Sequence, residues 1–202
     1  MYRADTAPTP CEHHQPAQDV KENREHHENH ENVPHPVAPE VRYAKTQCSL
    51  LTDEMKKIVR ETFKQMEQES TKNGLNIFVR LFVEYPDYKE MWPQFRAIQD
   101  SALVSSDQLR QHAKIYMKGL HNVIGSLDDE AQLIKVLRKI ADTHARHGVH
   151  QFHIHNMLPE VVAVLYLCLH QKSPEVNEAW TQLFNVIGNV IDKLARERKW
   201  SE

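Results

Sequence analysis

From Leu50 onward, apolar residues recur at spacings of three and four, and this period is the strongest constraint on what the chain can fold into. Such spacing places side chains on one face of an α-helix, whereas a half-buried strand would show strict alternation. Glycine is scarce, with 5 in 202 residues, and no convincing alternation interrupts the pattern. The sequence therefore predicts an all-α domain of six or more helices.

Capping residues and proline indicate where the first three helices begin and end. Thr52 is placed to cap the first helix, whose apolar face is Met55, Ile58, Val59, Thr62, Phe63 and Met66. The second, "TKNGLNIFVRLFVEY", stops before Pro86, because proline disfavours helical backbone in the preceding residue. A short helical turn is expected in "PDYKEMWPQF". The third helix starts near Ser106-Asp107 and runs to about Leu127.

Three further helices follow. The fourth, from about Asp129 to His147, ends at Gly148, since glycine readily takes the backbone conformation of a helix C-terminus. The fifth contains "VVAVLYLCLH", which is apolar almost all round and is therefore expected near the centre of the domain. Pro159 either lies near the start of this helix or kinks it. The sixth opens at Ser173-Pro174, with proline suited to the first turn.

Residues 1–48 differ in composition from the helical part. They are rich in His, Glu, Asn and Pro and nearly free of large apolar side chains, so they cannot bury enough surface to offset the entropy of ordering. We therefore predict a disordered tail over residues 1–48 and a helical domain over residues 49–202. Six tail histidines could hold a transition metal loosely, although composition favours a solvated tail: His13, His14, His26, His27, His30 and His35.

The charge balance, 25 Lys and Arg against 28 Asp and Glu, gives no electrostatic reason to bind nucleic acid or an anionic membrane. No apolar run approaches the roughly 18 residues of a membrane span. Cys11, Cys48 and Cys168 lack CxxC spacing and are interpreted as reduced thiols, with Cys168 a small buried apolar residue. The expectation is a cytoplasmic protein, a monomer or homodimer, with neither nucleic acid nor membrane as a partner.

Five histidines fall within "DTHARHGVHQFHIH", residues 142–155, and helical phase separates one of them from the others. His144 continues the inward stripe of the fourth helix, which is Leu133, Val136, Leu137 and Ile140. His112 also faces inward, on the stripe of the third helix, which is Leu109, Ala113, Tyr116, Leu120, Val123, Ile124 and Leu127. His150, His153 and His155 lie beyond Gly148, in a loop or a helix start, and are expected to be bystanders.

Two inward histidines on separate helices, either side of one apolar slot, match what an iron porphyrin needs. One axial imidazole is fixed beneath the ring, and a second group lies on the far side. A lone inward histidine is more often a core residue with a satisfied hydrogen bond. A zinc site would require four ligands converging at about 2 Å, and the histidine run lacks the spacing of known zinc motifs. His112 and His144 are therefore the candidate metal-binding pair.

The order and spacing of these segments resemble the globin family over about residues 50–200. "LTDEMKKIVRETFKQM" looks like the first globin helix, and "GLNIFVRLFVEYPDYKEMWPQF" like the second helix with the turn after it. "SSDQLRQHAKIYMKGLHNVIGSL" is similar to the distal helix, "LRKIADTHARHGV" to the proximal helix, and "PEVNEAWTQLFNVIGNVI" to the last helix. The resemblance implies a globin fold of six to eight helices around a pocket for haem b, iron protoporphyrin IX.

The resemblance also assigns roles to individual residues. It implies that His144 is the proximal ligand of the haem iron and His112 the distal residue, with Val149 against the ring. The separation of 32 residues (144 − 112) is similar to that of neuroglobin-type globins, and the polar N-terminal extension resembles that of nematode globins. Arg146 and His147 are candidates to pair with the haem propionates, and exposure to solvent is the alternative for both.

The predicted pocket departs from the usual family pattern at two positions. The phenylalanine that stacks on the haem corresponds to Trp92 here, with Phe95 at the companion position three residues later. Tryptophan keeps the stacking but adds bulk and an N–H that needs a partner. One turn after the distal histidine, a small aliphatic residue is replaced by Tyr116, which either crowds the pocket and offers a hydroxyl or packs against the first helix. Phe78, on the distal side, offers no hydroxyl.

The sequence leaves three functions open. The first is a haem globin that binds oxygen, nitric oxide or carbon monoxide reversibly, as a carrier or sensor, with both histidines on a six-coordinate iron. The second is a haem redox protein, which would need a separate protein reductant because the chain lacks a nicotinamide-binding fingerprint. The third is a haem-free helical module in which both histidines are ordinary core. The first is favoured, and it requires no catalytic residue.

Overall fold

Helices make up most of the chain that the computed structural model describes, residues 37–199. The elements are α1 (Pro39–Cys48), α2 (Asp53–Glu67), α3 (Ser70–Glu84), a 3-10 helix (Pro86–Met91), α4 (Asp100–Leu103), α5 (Asp107–Gly125), α6 (Glu130–Arg146), α7 (Gln151–Leu169) and α8 (Pro174–Lys199). No strand occurs within residues 37–199, so the predicted all-α class is confirmed. The predicted tail up to residue 36, with its six histidines and Cys11, lies outside the described residues.

Side-chain caps fix the starts of three predicted helices. The side-chain oxygens of Thr52, Ser106 and Asp129 each accept a hydrogen bond from the backbone N–H three residues later, at 3.1, 3.2 and 2.9 Å. Each bond satisfies one of the N–H groups that a helix start leaves without an intrahelical partner. At the other end of α6, Gly148 has a φ of 68°, a left-handed conformation that glycine adopts without steric cost.

Helix α1 lies in the segment that is predicted from the sequence to be a disordered tail. Residues 39–48 are helical and pack on α6 and α8, and Ala44 and Cys48 are buried. Glu40 forms an ion pair with Arg138 of α6 at 2.8 Å. The helical part therefore begins earlier than the predicted boundary at residue 48. The apolar pattern of α1 is too sparse to be recognised before the helices that bury it are known.

Helix α7 begins at Gln151, so Pro159 lies in its interior and not near its start. Proline has no N–H to donate to the carbonyl one turn earlier, at residue 155. By length and composition alone, α7 is long and apolar enough to cross a membrane, which corrects the expectation that no stretch approaches that length. In the structure α7 packs against α2, α3 and α8.

Buried side chains form two clusters, and the smaller one borders the candidate site. The main core includes the fully buried Trp180 of α8, whose indole N–H donates to Thr62 Oγ1 of α2 at 2.9 Å. The smaller cluster lies between α3, α4 and α5 and contains Phe78, Leu81, Phe82, Phe95, Leu103, Leu109 and Ala113. Tyr116 of α5 contacts both clusters. The junction of the two clusters thus lies on the helix that carries His112.

Helices α3 and α5 approach closely at Gly74, and this crossing sets the position of α5. A Cβ atom at position 74 would lie 2.9 Å from Met117 Cγ and 3.0 Å from the carbonyl oxygen of Ala113. We expect Gly74→Ala to lower the free energy of unfolding by about 1 to 3 kcal/mol, because overpacking against backbone forces the two helices apart. Urea-induced unfolding, followed by circular dichroism, measures the change.

Gly119→Ala in α5 is the matched control for this crossing. An added Cβ at position 119 meets no atom within 4 Å. The change is expected to stabilise the protein by roughly 0.5 to 1 kcal/mol, since alanine has a higher helix propensity than glycine. A loss of stability at position 119 as large as that at position 74 would contradict the steric explanation.

Candidate functional site

Three aromatic rings surround His112 on α5. The centroid of the His112 ring lies 4.4 Å from that of Trp92, 4.8 Å from that of Phe78 and 5.3 Å from that of Phe95. Phe78 comes from α3, while Trp92 and Phe95 follow the 3-10 helix. The fold therefore brings three predicted pocket residues from two separate segments against one imidazole.

Phe82 belongs to the same aromatic group, although it is not among the predicted pocket residues. Its ring centroid lies 5.9 Å from the centroids of both Phe78 and Phe95. Residues four apart lie on one face of a helix, so the spacing of Phe82 from Phe78 was the signal that could have identified it. Phe82 and Phe95 are both buried.

His144 stands near the end of α6 and contacts the same indole as His112. Its ring centroid lies 6.0 Å from that of Trp92, with the two rings perpendicular. Its Nδ1 lies 2.9 Å from the carbonyl oxygen of Ile140. Because a carbonyl can only accept, Nδ1 carries the proton and Nε2 keeps its lone pair. A histidine that ligates a metal is usually held in this way, with its other nitrogen bonded to a carbonyl or carboxylate.

Both imidazoles of the pair are neutral at pH 7. Burial, together with the nearby His144 and His147, lowers the pKa of His112 from 6.5 to about 4. Burial also lowers the pKa of His144, against the opposite effect of the hydrogen bond to Ile140. Only a neutral imidazole has a lone pair for a metal ion, so both side chains are in the state that can ligate one.

Tyr116 places a polar atom without a partner beside this aromatic group. Its ring packs edge-on against Phe78, with 5.2 Å between the centroids. Its hydroxyl oxygen is buried and has no hydrogen-bond partner among the described residues. Burial raises the pKa of the phenol, so the hydroxyl stays protonated and remains a donor. Tyr116 thus packs against Phe78 of α3 and against both core clusters.

The three predicted contacts after His144 differ in their placement. His147 reaches the site, because its ring centroid lies 4.7 Å from that of Trp92. Arg146 is exposed, and its Nε donates to the backbone carbonyl of Asp142 on its own helix at 3.2 Å. Val149 is half-buried, and its backbone N–H donates to the carbonyl of His144 at 2.9 Å. The structure therefore groups His147 with the pocket and shows no such contact for the other two.

The remaining histidines of the run have structural contacts at the start of α7. The backbone N–H of His150 donates to Nδ1 of His153 at 2.9 Å, and the His153 ring packs on Tyr88. His155 faces Gly188 of α8. Within residues 37–199, no three or more side chains of His, Cys, Asp or Glu are grouped so that they could hold a metal ion. The described chain thus offers a histidine pair, which is what a planar cofactor with its own four metal ligands would use.

Comparison with known proteins gives matches along most of the helical part. The family model named Globin matches residues 75–191. Cytoglobin-1 of Oryzias latipes is 31% identical over 153 residues, which cover 74% of this chain and 86% of that protein. A globin of Nerita albicilla is 26% identical over 148 residues, covering 70% of this chain and 91% of that protein.

Solved structures agree at the level of the fold. The azide complex of ferric Aplysia limacina myoglobin superimposes with a TM-score of 0.65 and 18% sequence identity, over 71% of this chain and 97% of that chain. A double mutant of the same myoglobin gives the same values. At this identity the likeness concerns the fold alone. The neuroglobin-like and nematode placements suggested by the sequence stay predictions.

Proposed function

This chain belongs to the globin family, and on that premise we propose that it binds haem between His144 and His112 and binds a diatomic gas reversibly at the iron. The gas is oxygen, nitric oxide or carbon monoxide. The observation that carries the proposal is a pair of neutral imidazoles, on α5 and α6, that contact one indole ring. This arrangement favours a haem protein over a helical module in which both histidines are ordinary core.

The residues present fit a haem group. Phe78, Trp92 and Phe95 provide apolar aromatic walls, as a hydrophobic porphyrin requires. The buried, unpartnered hydroxyl of Tyr116 is a group that a bound ligand would satisfy. The chain has 3 cysteines and no CxxC spacing, so we propose non-covalent haem b and not a thioether-linked haem.

When bound, haem would supply an iron that can take imidazole nitrogens and a diatomic gas as ligands. Nε2 of His144 is the proposed ligand on one face, because the Ile140 carbonyl holds its Nδ1 proton. His112 is the proposed ligand on the other face. A gas must then compete with His112, so its apparent affinity falls by the fraction of time that His112 is displaced. This competition is the basis of the six-coordinate state that we propose.

The surrounding side chains exclude water and hold the pair in place. Phe95 and Ala113 have no exposed surface, and Phe78 is 4% exposed. Burial against these side chains favours neutral imidazoles, and it would limit the access of water to the iron. His147, whose ring contacts Trp92, is the better proposed partner for a haem propionate, whereas Arg146 is bonded along its own helix. Val149 stays a predicted contact of the ring.

Absorption spectra of the ferrous protein test this proposal at two levels. We expect an intense Soret band and the sharp visible bands of a low-spin, six-coordinate haem. His112→Ala should give a five-coordinate spectrum and should speed the binding of carbon monoxide at saturating gas, since no side chain then has to leave. The matched control, His121→Ala, removes an exposed imidazole from the same helix and should leave both unchanged.

Haem binding and the role of His112 as an iron ligand would be contradicted by different results. A purified, haem-reconstituted protein without a Soret band would contradict haem binding altogether. A five-coordinate ferrous spectrum in the unmodified protein would contradict only the axial role of His112, and His112 would then be assigned to hydrogen bonding of the gas.

A redox function is the second candidate, and the same pair of neutral imidazoles favours it. With a histidine on each face, the iron would keep one coordination geometry in both oxidation states, which suits electron transfer. Reduction would require a separate protein reductant, because the chain has no nicotinamide fingerprint. Rapid turnover of nitrite, or of nitric oxide with oxygen, in the presence of a reductant would support this candidate, and gas binding without turnover would contradict it.

We also propose a cytoplasmic setting, based on the thiols. Cys48 and Cys168 are free, and burial raises the pKa of the Cys48 thiol to about 11, which suppresses the reactive thiolate. Free thiols are typical of a reducing compartment. Subcellular fractionation tests this setting, and recovery in an extracellular fraction would contradict it.

A further inference from the structure

Two buried side-chain polar atoms in the described part of the chain have no hydrogen-bond partner, and one of them is the hydroxyl of Tyr116. The other is Nε2 of His155, at the contact between α7 and α8. Leaving a hydroxyl buried and unpaired is unfavourable, because it loses its bonds to water and gains none in the protein. Such a group in a folded protein needs an explanation.

Three other polar aromatic side chains in the described part of the chain have hydrogen-bond partners. The Tyr166 hydroxyl donates to the carbonyl of Ser173 at 3.0 Å, and the Tyr88 hydroxyl accepts from Asn156 at 2.7 Å. The buried Trp180 indole donates to Thr62 at 2.9 Å. Tyr116 differs from these three side chains, and a phenylalanine would fill nearly the same volume without the unpaired oxygen.

Tyr116 lies on the same side of the candidate site as His112, which is the side where we propose that the gas binds. It follows His112 by four residues, so both side chains lie on one face of α5. Both rings pack edge-on against the same Phe78 ring, at 4.8 and 5.2 Å between centroids. The neighbouring members of the smaller cluster, which include Phe82, Leu109 and Ala113, are hydrocarbon and offer a small ligand no hydrogen bond.

We propose that Tyr116 is a specificity-determining residue whose hydroxyl donates a hydrogen bond to a small ligand with negative charge on its outer atom. This inference rests on the function proposed above. Oxygen and small anions such as azide or nitrite carry such charge when a metal holds them, whereas carbon monoxide carries little. Tyr116 therefore favours the binding of oxygen and small anions over that of carbon monoxide. Its protonated phenol donates the hydrogen bond and does not itself ligate the iron.

The division of roles between Tyr116 and His112 follows from their chemistry. In the proposed function, His112 competes with the gas for the iron. Once the gas has displaced it, the His112 imidazole is no longer fixed in a position to donate a hydrogen bond to the gas. Tyr116 stays in place, because its ring is packed between two core clusters. Its phenol keeps its proton, since burial raises its pKa and thereby disfavours the charged form. The donor is thus available whenever the gas is bound.

Tyr116→Phe tests the inference in the haem-loaded full-length protein, with Tyr166→Phe as the matched control. We expect Tyr116→Phe to raise the oxygen dissociation rate about five- to tenfold, the effect of losing one hydrogen bond of ordinary strength. The carbon monoxide dissociation rate should change less than twofold, and the infrared stretch of bound carbon monoxide should shift to higher frequency. Tyr166→Phe should alter none of these, because its hydroxyl is bonded to Ser173 away from the pocket residues.

A second readout uses the haem-free protein and does not depend on gas binding. Tyr116→Phe should leave its melting temperature unchanged or raise it, because no hydrogen bond is lost and an unpaired hydroxyl is removed. Tyr166→Phe should lower the melting temperature, since it breaks a bond to the Ser173 carbonyl. A fall for Tyr116→Phe as large as that for Tyr166→Phe would show that the hydroxyl is structurally paired and would overturn the inference.

The outcomes separate this inference from the proposed function. If no Soret band forms in the unmodified protein, the proposed function fails and this inference fails with it. If haem binds normally and Tyr116→Phe changes neither the oxygen rate nor the infrared stretch, the inference alone is overturned. Equal acceleration of oxygen and carbon monoxide would indicate a steric effect of the ring and would also overturn it.

Discussion

Replacing His144 with alanine is expected to abolish stable haem binding, with a loss of affinity greater than about 100-fold. Removal of an outer hydrogen-bond partner of a metal ligand alone costs 10- to 100-fold, and this change removes the proposed ligand itself. The imidazole is held by a hydrogen bond from its Nδ1 to the Ile140 carbonyl at 2.9 Å. Titration of the purified variant with haem, followed by the Soret band, measures the affinity.

Two controls keep this test specific. His121→Ala removes an exposed imidazole that bonds to Glu67, and it should retain full haem affinity. Free imidazole added to His144→Ala should restore part of the binding, because the small ligand can enter the cavity left by the side chain. If His144→Ala binds haem as tightly as the unmodified protein, His144 is not the proximal ligand.

Acid should destabilise the haem-free protein between about pH 6.5 and pH 4, largely through His112. The unfolded chain binds a proton at this residue below its ordinary pKa of 6.5, whereas the folded protein does so only near 4. The contribution of neutral His112 to the unfolding free energy is therefore complete above pH 6.5. It falls as the pH drops through this window and levels off below about pH 4. The shift corresponds to roughly 3 kcal/mol of unfolding free energy. His144 and His153 act in the same direction, since their pKa values are also lowered.

Urea unfolding of the haem-free protein at a series of pH values measures this effect. His112→Leu, which fills the position with an apolar side chain, should remove most of the pH dependence of the unfolding free energy in this window. The exposed His121→Ala should retain it. An unfolding free energy that stays constant from pH 7 to pH 4.5 would contradict the buried, neutral state of His112.

Local pattern was enough to predict α2, α3 and α5 to α8 and the inward orientation of the two key histidines, although it did not predict α1. The caps at Thr52 and Ser106 depend on a side chain and a backbone N–H only three residues apart, so sequence order alone determines them. The phase of His112 and His144 follows from the 3.6-residue period of their own helices. For the same reason Gly148 was recognisable as the end of the proximal helix.

Contacts between distant segments could not be predicted. The helical period of the apolar residues indicates which face of a helix is buried, but it does not indicate which other segment lies against that face. The burial of α1 depends on α6 and α8, far along the chain. The interior position of Pro159 depends on α7 starting at Gln151, where the His150 and His153 cap begins the helix. The close crossing at Gly74 is visible only once α3 and α5 are packed together.

The sequence by itself determined that this chain is helical and that His112 and His144 face inward, since both properties depend on residues within one or two helical turns. Only the tertiary structure decided what surrounds them. It placed Trp92 against both imidazoles and left the Tyr116 hydroxyl buried without a partner. These features depend on where separate helices come to rest against each other, and that is set by the packing of the whole core and not by any local spacing.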